Sequence, residues 1–326
     1  MRDAYGRTID YLRVSVTDRC NLRCRYCMPE SGVPMLSHDQ ILTYDEILRI
    51  CRIVSGLGID TIKITGGEPL VRRDVEDLIA GIHDLPGIRQ VTLTTNGVLL
   101  AEKLDALVQA GLSAVNVSLD TTDPRAFQAI TRRDQLSSVL RGIDAASREP
   151  RLRLKINCVP PSLTPDAILP IARLAQGRDI AVRFIEMMPI GLGADRVREE
   201  DTEARIRTIL AGAFGLPSPC DRKLGNGPAH YLRYPGLCGP IGFISAVSHQ
   251  FCDQCNRVRL TSQGFLKTCL QYDLGEDLSG LFRGGATDGE IAGVITRAIA
   301  HKPQAHQMQK KNIPHGEGDV MSKIGG

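Results

Sequence analysis

The chain has 326 residues, 42% of them apolar and 24% charged, with a formal net charge of +3. This length can bury a sizeable core, as one large α/β barrel or as two domains, and so weak a charge gives no reason to expect a nucleic-acid partner. The first ten residues lack the apolar core of a signal peptide and no run of about 18 apolar residues is present, so no membrane span is expected and the chain reads as cytoplasmic.

In chain order, short β-branched or apolar runs alternate with segments of helical period, the signature of repeated βα units and a parallel sheet. Strands are predicted at residues 12–17, 59–65, 90–95, 114–119, 152–158 and 180–185, and helices at 44–55, 75–83, 101–110, 136–147 and 166–176. Several strands alternate apolar and polar residues, which strands buried on both faces of an open sheet should not do. Period two puts Ser15 with Thr17, Thr92 with Thr94 and Asn96, and Asn116 with Ser118 and Asp120 on one face each. A polar-lined interior explains this, so the fold class is α/β: a six-stranded partial (β/α) barrel of TIM-like type, its site at the C-terminal ends of the strands.

After a helix at 202–214, a Pro/Gly-rich passage at 216–228 reads as a boundary. It divides the chain into a barrel, 1–225, and a small C-terminal α+β domain, 226–326. Strands at 229–234, 241–246, 257–261 and 265–267 are expected to form a small antiparallel sheet closing the barrel's open side, before a helix at 287–301 and an aperiodic tail ending in Gly325-Gly326.

Cys20, Cys24 and Cys27 lie within eight residues just after the first strand. Three thiols so close cannot all pair as disulfides, and ten cysteines in a reducing compartment favour metal binding or redox work. Soft thiolates select iron-sulfur clusters, zinc or copper; three ligands to a cubane would leave one iron open. Cys252, Cys255 and Cys269 form a second trio, for which a zinc site completed by the nearby His249 is the structural alternative. Gly66-Gly67-Glu68-Pro69 follows the second strand, where glycines permit a tight turn or close approach to a ligand. Arg13, Lys63, Lys155 and Arg183 interrupt strands, and Arg257 and Arg259 alternate on a later one. Parity turns Arg13, Lys63 and Lys155 into the lumen. Pairing with Glu68, Asp120 or Glu186 could neutralise some of these cations, and a polyanion such as a nucleoside triphosphate would offset the excess.

The spacing of the first trio, with Tyr26 just before the last thiol, resembles that of the radical S-adenosylmethionine enzymes, and Gly66-Gly67-Glu68-Pro69 matches the segment by which they hold the methionine amino group. The resemblance narrows to the MoaA family of GTP 3′,8-cyclases through Leu12-Arg13-Val14-Ser15, Thr94-Thr95-Asn96-Gly97, Asn116-Val117-Ser118-Leu119-Asp120, Arg183-Phe184-Ile185-Glu186, Asn256-Arg257-Val258-Arg259 and the terminal glycines. It implies two [4Fe-4S] clusters, one on Cys20, Cys24 and Cys27 and one on Cys252, Cys255 and Cys269, the second anchoring the guanine base.

The same resemblance implies contacts of Tyr26, Gly67, Ser118 and Met188 with S-adenosylmethionine, of Arg13, Lys63, Thr94, Lys155, Arg257, Val258 and Arg259 with GTP, and a catalytic part for Gly325 and Gly326. A deoxyadenosyl radical would take hydrogen from C3′ of GTP, and the ribose radical would attack C8, opening molybdenum-cofactor biosynthesis. The implied partners are an external one-electron donor and, for the product, cyclic pyranopterin monophosphate synthase; monomer and homodimer both remain open. One departure is Lys63, where the family usually has Arg: the charge is kept but the planar fork is lost.

Overall fold

A computed structural model describes residues 1–34, 36–197, 201–222, 224–310 and 315–325. Six strands, β1 (Tyr11–Ser15), β2 (Thr61–Thr65), β3 (Gln90–Thr95), β4 (Ala114–Ser118), β5 (Arg153–Cys158) and β6 (Ala181–Ile185), pair in parallel in chain order. Helices α1 (Tyr44–Gly56), α2 (Val75–His83), α3 (Leu100–Gln109), α4 (Pro124–Thr131), α5 (Leu136–Arg148) and α6 (Pro165–Ala172) lie between them. Each crossover buries an apolar helix face, such as Ile47, Ile50 and Val54 of α1, against the outward residues of the strands. The α1 start is fixed by a capping box, Thr43 accepting from the Glu46 amide and Glu46 from the Thr43 amide. Helix α4, absent from the expected elements, starts at Pro124 with Asp123 as its cap, at 2.7 Å from the Ala126 amide.

The C-terminal strands depart from expectation. After α7 (Thr202–Phe214) come β7 (Ser218–Pro219), β8 (His230–Arg233), β9 (Ile241–Ile244), β10 (Arg257–Leu260), β11 (Phe265–Lys267) and β12 (Gly275–Asp277), which form no separate antiparallel sheet. Instead β9 pairs in parallel with β6 and β10 in parallel with β1, giving one twelve-stranded sheet in the order β12-β11-β10-β1-β2-β3-β4-β5-β6-β9-β8-β7. The physical reason is that a six-stranded open barrel leaves two edges of unpaired N–H and C=O groups, and these strands satisfy both. Helices α8 (Leu278–Arg283), α9 (Asp288–Ala300) and α10 (Met321–Ile324) follow. No helix among the described residues is long and apolar enough to cross a membrane.

Candidate active site

The inward faces of the strands enclose a cavity of about 390 Å³, and both thiol trios line it. Cys20, Cys24 and Cys27 leave the C-terminal end of β1, whereas Cys252 and Cys255 precede the N-terminal end of β10, which runs parallel to β1. The β10–β11 hairpin returns Cys269 to that same end. A five-residue strand thus separates the trios, on the order of 15 Å at the rise of extended chain.

The loop of the first trio is built on the glycine pair. A Cβ on Gly67 would lie 2.4 Å from the Arg19 carbonyl oxygen, and one on Gly66 2.7 Å from that of Thr17. The Gly67 and Glu68 amides donate to the Thr17 and Arg19 carbonyls, each at 2.7 Å. The close approach is therefore first of all to the protein's own cysteine loop. Glu68 accepts from Thr95 Oγ1 at 2.7 Å, the Asn96 amide at 2.6 Å and the Leu70 amide at 3.0 Å, and burial pushes its carboxyl up to about 7. Asn96 in turn donates to Asn21 Oδ1 at 2.7 Å and lies 3.8 Å from Cys20 Sγ. On the other side Tyr26 donates to Asp120 at 2.6 Å, and burial raises Asp120 to about 6.

Burial pushes the Cys20 thiol up to about 11 and the Cys27 thiol up to about 12, with Cys20 and Asp120 adding to the effect on Cys27. As bare thiols the trio stays protonated; a cationic iron-sulfur group is what would hold it as thiolates. Among the described residues no three His, Cys, Asp or Glu side chains close on a single ion position.

At the second trio His249, the companion that the zinc alternative would need, is exposed, bonded to Ser248 and absent from the cavity wall. The histidine that reaches the trio is His306, whose amide donates to Cys252 Sγ at 3.4 Å. Arg7, buried and paired with Asp3 at 2.5 Å, pins this end by donating to the carbonyls of Cys252, Pro303 and Gln304 at 2.7–2.8 Å. Burial works to raise the Cys255 thiol, but Lys302, Arg257 and Arg7 outweigh it and pull it down. Arg7, Lys302 and His306 lie in segments without periodicity, so no pattern marked them beforehand.

Between the trios stand the cations. Arg13, Lys63, Lys155, Arg183, Arg257 and Arg259 all line the cavity, and register sets Arg13 directly beside both Lys63 and Arg259. Among the described residues Lys63, Lys155, Arg183, Arg257 and Arg259 form no ion pair with a carboxylate. Glu186, like Glu68 and Asp120, is committed elsewhere, accepting from the Val247 and Ser248 amides. Burial, with Arg13, Arg183 and Lys155 close by, pulls the Lys63 ammonium well below its ordinary range. Burial and then Arg183 bring Lys155 down to about 7, and burial with Arg13 and Arg257 lowers Arg259. Arg183 Nε, Arg257 Nε and Asn157 Oδ1 are buried without a partner. Such a lumen fits a polar anion.

Thr94, Ser118 and Met188 also line the cavity. Val258 does not: its side chain is 1% exposed in the hydrophobic core, leaving only its main chain to a ligand. The tail does enter the barrel, Gly325 packing against Ser15 and Thr65, while Gly326 lies outside the described residues.

Comparison with known proteins agrees with this geometry. Residues 14–175 match the family model described as Radical SAM superfamily, and residues 180–308 that described as Molybdenum Cofactor Synthesis C. Full-length relatives named GTP 3′,8-cyclase include those of Moorella thermoacetica, 41% identical, Heliobacterium modesticaldum, 43%, and Syntrophomonas wolfei, 44%, each aligned over 100% of both chains. Among solved structures, Streptococcus suis SuiB bound to S-adenosylmethionine shares the fold, with a TM-score of 0.59 at 16% identity over 87% of this chain and 68% of that one. The two matched segments and the end-to-end identity place the chain in the radical S-adenosylmethionine superfamily and, within it, in the family of GTP 3′,8-cyclases.

Proposed function

We propose that the protein converts GTP to 3′,8-cyclo-7,8-dihydro-GTP, the first step of molybdenum-cofactor biosynthesis. The observation that carries this reading is the pairing of two three-thiol bays across a lumen lined by six cations, of which Lys63, Lys155, Arg183, Arg257 and Arg259 form no ion pair with a carboxylate among the described residues. Cys20, Cys24 and Cys27 would hold a [4Fe-4S] cluster, which with S-adenosylmethionine supplies one-electron cleavage to a carbon radical. Gly67, Ser118 and Met188 would contact S-adenosylmethionine. Tyr26, fixed by Asp120, would close its side.

Cys252, Cys255 and Cys269 would hold a second cluster and with it the guanine base. Arg13, Lys63, Lys155, Arg257 and Arg259, with Thr94 and the Val258 main chain, would bind the rest of GTP and neutralise its phosphates. Gly325 and Gly326 would complete the enclosure and exclude water. An external one-electron donor would feed the first cluster, and cyclic pyranopterin monophosphate synthase would take the product, in the cytoplasm.

The test is anaerobic. Protein reconstituted with iron and sulfide should bind about eight irons per chain if both bays hold cubanes. With reductant, S-adenosylmethionine and GTP it should release deoxyadenosine and a cyclised nucleotide. Four irons would remove the second cluster, and deoxyadenosine without a cyclised nucleotide would remove GTP as substrate.

A further inference from the structure

The first trio lines the cavity, and the loop that carries it reaches the surface at Arg19, Arg25 and Glu30, so a redox group held there would lie close to solvent. The surrounding surface is assembled from three segments. The Arg23 and Arg25 amides donate to the Thr131 and Ile130 carbonyls at 2.9 and 3.0 Å, and Arg132 Nη1 returns a bond to the Arg23 carbonyl at 2.9 Å. On the other flank the Glu68 amide ties the 68–74 turn to Arg19.

Residues 19–34, 72–74 and 131–134 thereby bring together seven arginines and only three carboxylates, Glu30, Asp74 and Asp134. Of these acids Glu30 is already paired with Arg132 at 3.5 Å. Arg19, Arg25, Arg73 and Arg133 are exposed. The excess positive charge at this rim is greater than the +3 of the whole chain, so it is a local feature and not a uniform bias.

We propose that this rim is the docking surface of an acidic one-electron carrier protein, which delivers its electron to the group held by Cys20, Cys24 and Cys27; the proposal rests on the cluster reading of that trio. A charged rim beside a redox centre close to the surface steers an oppositely charged partner and speeds encounter at low salt, an effect that salt screens. A basic surface could also serve RNA, and the test separates the two.

The experiment uses cluster-loaded protein, reduced flavodoxin as the acidic probe, and the double variant Arg73→Glu/Arg133→Glu, both positions lying outside the thiol loop. Stopped-flow reduction of the wild type should slow steeply as salt rises. The variant should be slower by about tenfold or more at low salt, with a flattened salt dependence. Its iron content and its dithionite-driven cleavage of S-adenosylmethionine should match wild type. Arg133→Glu alone should show part of the loss, should the double variant fold poorly.

Equal flavodoxin rates in wild type and variants, with dithionite-driven cleavage intact, would overturn the docking proposal alone. Tight binding of an RNA oligonucleotide that the variant loses, without a change in flavodoxin rate, would assign the rim to nucleic acid and overturn it as well. Iron-loaded wild type that dithionite cannot drive to cleave S-adenosylmethionine would overturn the reading of the trio, and the docking proposal with it.

Discussion

Arg259 Nη1 donates to the carbonyl oxygen of Gly325 at 2.6 Å, so an expected phosphate-binding guanidinium already holds the chain's own tail inside the barrel. The tail is further fixed by the Ser322 main chain, within hydrogen-bonding reach of the Cys27 thiol. Gly325 has a left-handed φ of +76°, and a Cβ there would lie 3.0 Å from both Ser15 Cβ and Thr65 Oγ1. Gly325→Ala, or removal of the last two residues, should cut cyclised product about tenfold or more while leaving iron content and the thermal midpoint close to wild type. Product and iron are assayed together. Unchanged turnover would show that the tail is only a docked terminus.

Arg259→Ala tests two effects of opposite sign. In register with Arg13 and beside Arg257, Arg259 is repelled by both, and burial adds to the cost of its charge. Losing it should leave the unliganded protein no less stable, despite the broken tail contact. The same change should weaken GTP binding by on the order of 1–3 kcal/mol, since hydrogen bonds to charged groups contribute about that much. Calorimetric binding and a melting curve on one preparation check both, with iron content held as the control; a fall in iron would reassign Arg259 to supporting the cluster site.

Lys155 gives a pH signature. Its ammonium is brought down to about 7 from an ordinary 10.5 by burial and by Arg183, and it donates to the Leu224 carbonyl. Between those values the unfolded chain holds a proton that the folded chain lacks, so this residue makes the unliganded protein more stable as pH rises from about 7. Below 7 its cost is constant. A bound triphosphate favours the charged form, so GTP affinity should fall as pH rises above 7, with proton uptake on binding. Lys155→Met should bind GTP more weakly at pH 6.5 and lose most of the pH dependence. A variant with the wild-type slope would exclude Lys155 from the phosphate site.

The parts of this arrangement that sequence made legible are those where a local pattern carries the physics. Strands β3 and β4 and helix α2 fall within a residue of expectation because period two and period 3.6 are unbroken there. The lumen cations were visible because a Lys between two isoleucines, as at Lys63, is costly without a purpose. What stayed hidden depends on distant pairing. Nothing local in Ile241–Ile244 or Arg257–Leu260 says that one strand will join β6 and the other β1; only the two open edges of the sheet decide it. Likewise His306 and Arg7 meet Cys252 from sequence separations of 54 and 245 residues, which no spacing rule reaches. His249, the near neighbour that the zinc alternative relied on, points away from the cavity instead.

Gly67→Ala separates the two duties of the glycine pair. Its Cβ would fall 2.4 Å from the Arg19 carbonyl oxygen and 2.6 Å from that of Asp18, both backbone atoms that no side-chain rotation can move aside. Either the 18–20 segment shifts or the turn after β2 does, at a cost on the order of 1–3 kcal/mol. Arg19 immediately precedes Cys20, and the Asn96 contact that steadies Cys20 is held by Glu68 beside the substituted residue. The first trio should therefore lose its iron, while any group on the second, at the opposite end of β1, should stay. If both bays hold cubanes, as proposed, total iron should drop from about eight to about four per chain, with GTP binding preserved. Full iron content with impaired S-adenosylmethionine binding would instead assign Gly67 to the ligand rather than to the cysteine loop, and that outcome would restrict the backbone clash to a local adjustment.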